Sequence, residues 1–177
     1  MTNLRMRPAS ADDSKAIRNI TLSAYQEYEA QMPPAHWKLY RQVILTTLAD
    51  VGPAEQIVAE RDDNIVGTVL LYPAGTTLDL PDGSSASLDW PEVRLLAVAP
   101  AARGQGIGAA LMEKCVRRAQ QSKAAALTLH TNEMMQAAGR MYARMGFVHA
   151  PELDFGPIEG VIVKGYRLNL NETSLET

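Results

Sequence analysis

The amino-acid sequence predicts one α/β domain built around a mixed β-sheet. Its 177 residues are the length of a single ordinary domain. Hydrophobic residues make up 46% of the chain, which is enough for a full core without disulfides. Short β-branched runs also alternate with segments whose apolar residues recur at helical spacing. Such alternation is typical of helices packed on a sheet.

The first half of the sequence predicts a strand, two helices and a β-hairpin, in that order. Ser10 and the acidic residues that follow it provide an N-cap for the first helix, and Pro33 and Pro34 separate it from the second. The polar run 62–64 predicts the turn of the hairpin. The predicted strands cover residues 3–8, 56–60 and 65–72, and the predicted helices run from about 10 to 29 and from about 35 to 49.

The second half predicts a long loop followed by alternating strands and helices. Residues 73–91 are rich in Pro, Gly, Ser and Asp and are expected to form a loop that carries a short strand or edge. Gly146 is a natural stop for the last helix. Strands are predicted at 92–98, 125–130, 147–149 and 161–168, and helices at about 106–122 and 134–145. We therefore expect a single domain over residues 1–170 and a polar tail at 171–177.

Composition excludes several classes of protein and site. The net charge of −3, from 17 basic and 20 acidic residues, argues against a nucleic-acid-binding protein. One cysteine excludes an intramolecular disulfide and a Cys-rich zinc site, and the three histidines have no metal-ligand spacing, so no metal is expected. No apolar run approaches 18 residues and the N-terminus lacks a signal-peptide core, so we expect a cytoplasmic protein without a membrane partner.

A glycine-rich segment between a predicted strand and a predicted helix is the main chemical signal. In Arg103-Gly104-Gln105-Gly106-Ile107-Gly108, a turn would expose backbone N–H groups at the positive end of a helix, which suits a phosphate or pyrophosphate. Arg103 would add a charge-assisted contact. The glycine spacing does not match a dinucleotide-binding G-x-G-x-x-G turn, and no Gly-Lys-Ser/Thr of a P-loop occurs.

The segment resembles the acetyl-CoA motif of the GCN5-related N-acetyltransferase (GNAT) family, Arg/Gln-x-x-Gly-x-Gly/Ala. The resemblance is strong over about residues 92–150, where Tyr142 and the Gly146-Phe147 pair follow in the family's order. It implies an α/β fold with a mixed, mostly antiparallel sheet of six to seven strands, about four flanking helices and splayed central strands. It also implies an N-acetyltransferase whose partners are acetyl-CoA and an amine acceptor. Homodimers are common among such proteins.

The resemblance also implies which residues bind the coenzyme. Backbone groups of Leu96, Ala97 and Val98 would pair with pantetheine. The turn formed by Arg103, Gly104, Gln105, Gly106, Ile107, Gly108 and Ala109 would hold the pyrophosphate.

Two residues are implied in catalysis. Some family members have a general-base glutamate at the position of Glu92, which would act through a water; the alternative is a solvated glutamate at the start of a strand. Tyr142 matches the family's tyrosine near the coenzyme sulfur and would protonate the thiolate; the alternative is a core tyrosine. The sequence departs from the family at Met135, where many members have an asparagine that contacts the coenzyme.

Three segments that the resemblance places around the acceptor are acidic. Residues 19–36, 72–91 and 150–163 contain no lysine or arginine, and their acids are Glu27, Glu29, Asp79, Asp82, Asp89, Glu152, Asp154 and Glu159. Because charges of one sign focus the field in a cleft, they predict a cationic small molecule or peptide as acceptor. The alternatives to this enzyme are a non-catalytic acyl-CoA-binding module and a protein N-terminal or lysine acetyltransferase.

Overall fold

The computed structural model describes residues 3–80, 83–158 and 160–171. Ten strands and four α-helices are present in this part of the chain. The strands are β1 (Leu4–Pro8), β2 (Glu55–Arg61), β3 (Asn64–Tyr72), β4 (Thr77–Asp79), β5 (Ser85–Ser87), β6 (Glu92–Val98), β7 (Ala126–Thr131), β8 (Val148–His149), β9 (Phe155–Ile158) and β10 (Val161–Asn169). The helices are α1 (Ser14–Gln26), α2 (Pro34–Ala49), α3 (Ile107–Gln121) and α4 (Gln136–Arg144).

The chain divides into two compact units. Unit 1 contains Met1–Leu71 and Leu95–Cys115, and unit 2 contains Tyr72–Arg94 and Val116–Thr177. The predicted single domain over 1–170 stays a prediction. Of the predicted polar tail, residues 172–177 lie outside the described part of the chain.

The main sheet has eight strands in the order β1-β2-β3-β6-β7-β10-β8, with β9 paired to β10. The pairs of β1 with β2, β2 with β3, and β10 with β7, β8 and β9 are antiparallel, whereas β6 runs parallel to β7. The predicted fold class, a mixed and mostly antiparallel sheet with four helices, is therefore confirmed. The sheet has one strand more than the upper predicted number.

In unit 1, the hairpin forms at its predicted turn, and the first helix ends early. Asp62 and Asp63 adopt left-handed backbone angles, with φ of +49° and +61°, as a two-residue hairpin turn requires. The predicted helix to residue 29 is three residues too long, because α1 stops at Gln26. The Tyr28 N–H donates to the Tyr25 carbonyl at 3.1 Å, which is the tighter 3₁₀ pattern.

The first half of α3 packs closely on β3 in unit 1. Its residues Ile107, Leu111, Met112 and Cys115 are buried, as the helical spacing predicts. A Cβ atom on Gly67 of β3 would lie 3.0 Å from the side chains of both Ile107 and Leu111. The absence of a side chain at Gly67 therefore lets the beginning of α3 approach the sheet.

Unit 2 contains two features that sequence periodicity described incompletely. The loop 73–91 carries two short strands, β4 and β5, which pair with each other. Strand β9 was not predicted, because its sequence Phe-Gly-Pro-Ile contains two residues that are rare within strands. Pairing of β9 with β10 alone is consistent with the tolerance of proline at a sheet edge.

Candidate active site

The glycine-rich turn of unit 1 lies between β6 and α3. Gly104 and Gly106 have φ of +74° and +75°, in the left-handed region that glycine adopts at low cost. A Cβ atom built on either residue meets no heavy atom within 4 Å. The turn therefore requires glycine for its backbone angles, and it leaves open space where a bound group can approach the backbone.

The turn presents a row of backbone donors. After the turn, the first N–H group that donates to a backbone carbonyl is that of Ala110, which bonds the Gly106 carbonyl at 3.0 Å. Among the described residues, no backbone carbonyl accepts a hydrogen bond from the N–H groups of Gly104 to Ala109. Unpaired N–H groups at a helix start carry partial positive charge and bind phosphate groups well. The residues present therefore fit the pyrophosphate of coenzyme A.

Arg103 is anchored to the end of α1. Its Nη1 lies 2.5 Å from Glu27 Oε2, and its Nη2 donates to the Ala24 carbonyl at 3.1 Å. The guanidinium thus satisfies one of the last carbonyls of α1 and links this helix to the turn. Its predicted contact with a phosphate stays a prediction.

A second arginine contacts the turn, and the sequence patterns did not predict this contact. Arg61, the last residue of β2, donates from Nη1 to Gln105 Oε1. Its Nε is buried and has no hydrogen-bond partner among the described residues. Because Arg61 is distant from the motif in the chain, only the pairing of β2 within the sheet reveals it as a cation beside the turn.

The end of β6 in unit 1 has an irregular backbone. Leu95 has φ of +49°, an unusual value for a residue with a branched side chain. The Leu96 carbonyl accepts a hydrogen bond of 3.2 Å from the Tyr25 hydroxyl, and Ala97 is buried. One of the carbonyls predicted to face pantetheine thus already has a protein partner, although a carbonyl oxygen can accept a second bond.

In unit 2, Glu92 is buried and paired, not solvated. Only 2% of the residue is exposed. Its Oε1 lies 3.1 Å from Arg94 Nε, and its Oε2 lies 3.4 Å from His130 Nδ1. The alternative of a solvated glutamate at a strand start is therefore wrong. Glu92 and Arg94 meet because residues two apart in a strand share a face.

Strand pairing brings His130 to this carboxylate. Glu92 of β6 is opposite Thr128 of β7, and the Thr128 N–H donates to the Pro91 carbonyl at 2.9 Å. Thr128 and His130 share a face, so the imidazole reaches Glu92. Burial by itself lowers the pKa of His130, but the neighbouring Glu92 carboxylate and the Leu153 carbonyl outweigh it and raise this pKa above its ordinary value.

Tyr142 lies on α4 and is buried, with 7% of the residue exposed. Its ring meets that of Phe147 edge to face, with centroids 5.9 Å apart. Its predicted role at the coenzyme sulfur stays a prediction. Met135, at the family's asparagine position, is the residue before α4. Asn132, one turn earlier, accepts the Met134 N–H at 3.0 Å and so caps this turn.

The described residues offer neither a metal-binding cluster nor a membrane-spanning helix. No group of three or more histidine, cysteine, aspartate or glutamate side chains in the described ranges could hold a metal ion. No helix in this part of the chain is both long and apolar enough to cross a membrane.

The fold is that of solved acetyltransferases. A GNAT-family acetyltransferase from Staphylococcus aureus Mu50 has a TM-score of 0.69 and 15% identity, over 95% of this chain and 99% of its own. One from Brucella melitensis, in complex with acetyl-CoA, has a TM-score of 0.60 and 20% identity, over 94% of this chain and 88% of its own. PaiA N-acetyltransferase from Thermoplasma acidophilum, in complex with coenzyme A, has a TM-score of 0.66 and 11% identity, over 94% of this chain and 99% of its own.

Sequence comparison identifies the family directly. Residues 15–147 match the model of the acetyltransferase (GNAT) family. Because this match spans most of the sequence, the chain belongs to the GNAT family. No curated protein matches the sequence significantly.

Proposed function

We propose that this protein transfers an acetyl group from acetyl-CoA directly to a primary amine. The observation that carries the proposal is the turn from Gly104 to Ala109, whose free N–H groups and open left-handed glycines suit a pyrophosphate. Membership of the GNAT family supports the same reading. Acetyl-CoA supplies an activated thioester for attack by the amine.

Direct transfer is favoured over a covalent enzyme intermediate on a thiol. The only cysteine, Cys115, is completely buried in α3. Burial, together with the charge of Glu55, raises the pKa of the Cys115 thiol to about 12. Since the thiolate is the nucleophilic form, this side chain does not serve as an acyl carrier at neutral pH.

Glu92 and Tyr142 are the proposed proton-transfer residues. Glu92 would accept the proton of the acceptor ammonium through a water molecule, as its burial against Arg94 and His130 keeps the carboxylate in a fixed position. Tyr142 would donate its hydroxyl proton as the carbon–sulfur bond breaks and the thiolate leaves. Each role follows from the family resemblance at that position.

The acceptor in this proposal is a cationic amine. Three acids of these segments are exposed: Glu29, Asp79 and Asp89. Among the described residues, no lysine, arginine or histidine forms an ion pair with them. Glu27, Glu152 and Asp154 are instead paired with Arg103, Arg167 and His149, which reduces the field they offer. Asp82 and Glu159 lie outside the described residues. The exposed acids Glu29, Asp79 and Asp89 therefore carry this part of the proposal.

Substitution of one glycine by valine tests coenzyme binding. Gly106→Val should abolish binding of acetyl-CoA in calorimetric titration, because the side chain would occupy the open space over the turn. Gly52→Val is the matched control: Gly52 has φ of +57° and an equally open Cβ position, but lies in the loop before β2. Equal affinity of wild type and a folded Gly106→Val protein, or equal loss in both variants, would refute the proposed turn.

Release of free CoA with a panel of acceptors tests the transfer. Polyamines, amino sugars, acidic amino acids and peptides with free N-termini or lysines should be offered at equal concentration. Acetylation of small cationic amines is the expected result. Binding of acetyl-CoA without turnover on any acceptor would indicate a non-catalytic binding module, and a preference for peptides would indicate a protein acetyltransferase.

A further inference from the structure

We propose that His130 and Glu92 form a proton-sharing pair, in which His130 receives the proton that Glu92 accepts from the ammonium of the acceptor. This inference rests on the proposed function. It adds His130 as a residue that acts through the proposed base, Glu92. The proton leaves the acceptor nitrogen, reaches a carboxylate oxygen of Glu92 through the water molecule and moves on to Nδ1 of neutral His130. Glu92 is then ionised again, and after the transfer the imidazolium returns this proton through Glu92 to water at the acceptor side.

The hydrogen bond at the other ring nitrogen sets the direction of transfer. His130 Nε2 lies 2.9 Å from the Leu153 carbonyl oxygen. Because a carbonyl only accepts hydrogen bonds, Nε2 must carry a hydrogen, and neutral His130 then has its lone pair on Nδ1. That atom is buried, makes no hydrogen bond of good geometry among the described residues, and lies 3.4 Å from Glu92 Oε2. The position that receives a proton thus faces the carboxylate.

Close packing holds the Leu153 carbonyl in place. His130 is directly opposite Gly165 in the antiparallel pair of β7 and β10. A Cβ atom on Gly165 would overlap Leu153, with its carbonyl carbon and Cα at 3.1 and 3.2 Å. The missing side chain at Gly165 therefore lets the backbone of Leu153 reach the imidazole.

The charged groups around His130 favour the protonated ring. Glu92 is the nearest anion, and Arg94, which contacts the other oxygen of Glu92, opposes it. The Arg94 guanidinium also lies 5.9 Å from the ring centre of Tyr72, and the Phe155 ring meets the imidazole edge to face.

The neighbouring segments add no unpaired charge beside the imidazole among the described residues. On β10, Gly165 carries no charge, and Lys164 is paired with Glu133. Asp154, the carboxylate next to Leu153, is paired with His149.

An imidazole is better suited than a carboxylate to retain this proton near neutral pH. The ordinary pKa of a histidine is about 6.5 and that of a glutamate about 4.3. Burial lowers the pKa of His130, but Glu92 and the Leu153 carbonyl raise it above the ordinary histidine value. Glu92 would serve as the contact with the acceptor side, and His130 as the group that removes the proton from it.

Proton NMR titration tests the pair without any substrate. The chain has three histidines, so each imidazole signal can be assigned by substitution. His130 should titrate above the ordinary histidine value in the wild type. In Glu92→Gln it should titrate below that value, because burial remains and the anion is removed. The imidazole signals of His36 and His149 serve as internal controls. An unchanged His130 midpoint in Glu92→Gln would overturn the pair.

The pH dependence of kcat/KM tests its role in turnover. His130→Gln keeps a side-chain donor for the Leu153 carbonyl, and His149→Gln is the matched control on another carboxylate-paired histidine. His130→Gln should lower kcat by about 10²-fold, shift the acidic limb of the profile and leave the Kd of acetyl-CoA unchanged. An active His130→Gln enzyme with the wild-type profile would refute the relay and leave the proposed function intact. Absence of turnover in the wild type would refute the proposed function, whereas the NMR result would still decide the pair.

Discussion

Substitution of Gly165 by alanine should destabilise the protein although it adds one methyl group. The new Cβ would overlap Leu153 Cβ and lie within 3.2 Å of two of its backbone atoms. Carbon atoms pack best at about 3.5–4.0 Å, and these neighbours belong to a backbone that is hydrogen-bonded at the Leu153 N–H and at its carbonyl. Overpacking of this kind costs about 1–3 kcal/mol, and we expect the upper part of that range.

The same substitution at Gly139 gives a control of opposite sign. Gly139 lies inside α4, and a Cβ atom there meets nothing within 4 Å. Because alanine is the better helix former, Gly139→Ala should raise the free energy of unfolding by about 0.5–1 kcal/mol. Both residues belong to unit 2, so the contrast isolates local space.

Thermal unfolding measures the difference between the two variants. For a protein of this size, 1 kcal/mol corresponds to about 2–4 °C in Tm. Gly165→Ala should lower the Tm by about 4–12 °C, and Gly139→Ala should raise it by about 1–4 °C. Gly165→Ala should also weaken the hydrogen bond of His130 to Leu153, visible as a shifted imidazole signal. A Gly165→Ala protein as stable as the wild type would refute the close approach of Leu153.

Three further predictions concern stability and turnover. The hydrogen bonds from Arg7 and Ser10 hold the pKa of Asp13 well below its ordinary value. The Asp13 carboxylate therefore stabilises the fold above about pH 4 and loses that contribution as the pH falls further. Urea unfolding should show Asp13→Asn less stable than wild type by about 1.5–3 kcal/mol at pH 6, with the gap narrowing at pH 3; a constant gap would contradict this. Tyr142→Phe should lower kcat by about 10²-fold or more with little change in the Kd of acetyl-CoA, whereas unchanged kcat at saturating acceptor would reduce Tyr142 to packing. For a cationic acceptor, kcat/KM should fall as salt rises, and a salt-insensitive rate or a preference for anionic amines would contradict the acidic acceptor site.

Local sequence patterns predicted most elements of the fold. The strand at 92–98 has the predicted bounds, and the apolar stripe of α3 is buried as its spacing requires. Errors occurred where a local pattern does not decide the structure. The end of α1 depends on a change from α to 3₁₀ hydrogen bonding, and β9 forms from a Gly-Pro segment because β10 offers it a partner. Pairing with a strand elsewhere in the chain can override weak β propensity.

The sequence by itself determined the glycine-rich turn and the family that it indicates. Gly104 and Gly106 are adjacent in the chain to the helix they precede, and their backbone freedom is a property of the residues themselves. Only the tertiary structure decided the environment of Glu92. Its burial and its contact with His130 come from the pairing of β6 with β7. The Leu153 carbonyl that bonds the other nitrogen of His130 belongs to a third segment of the chain. Burial and electrostatic coupling depend on distances in space, so residues far apart in the chain acquire them only when strands pair and pack.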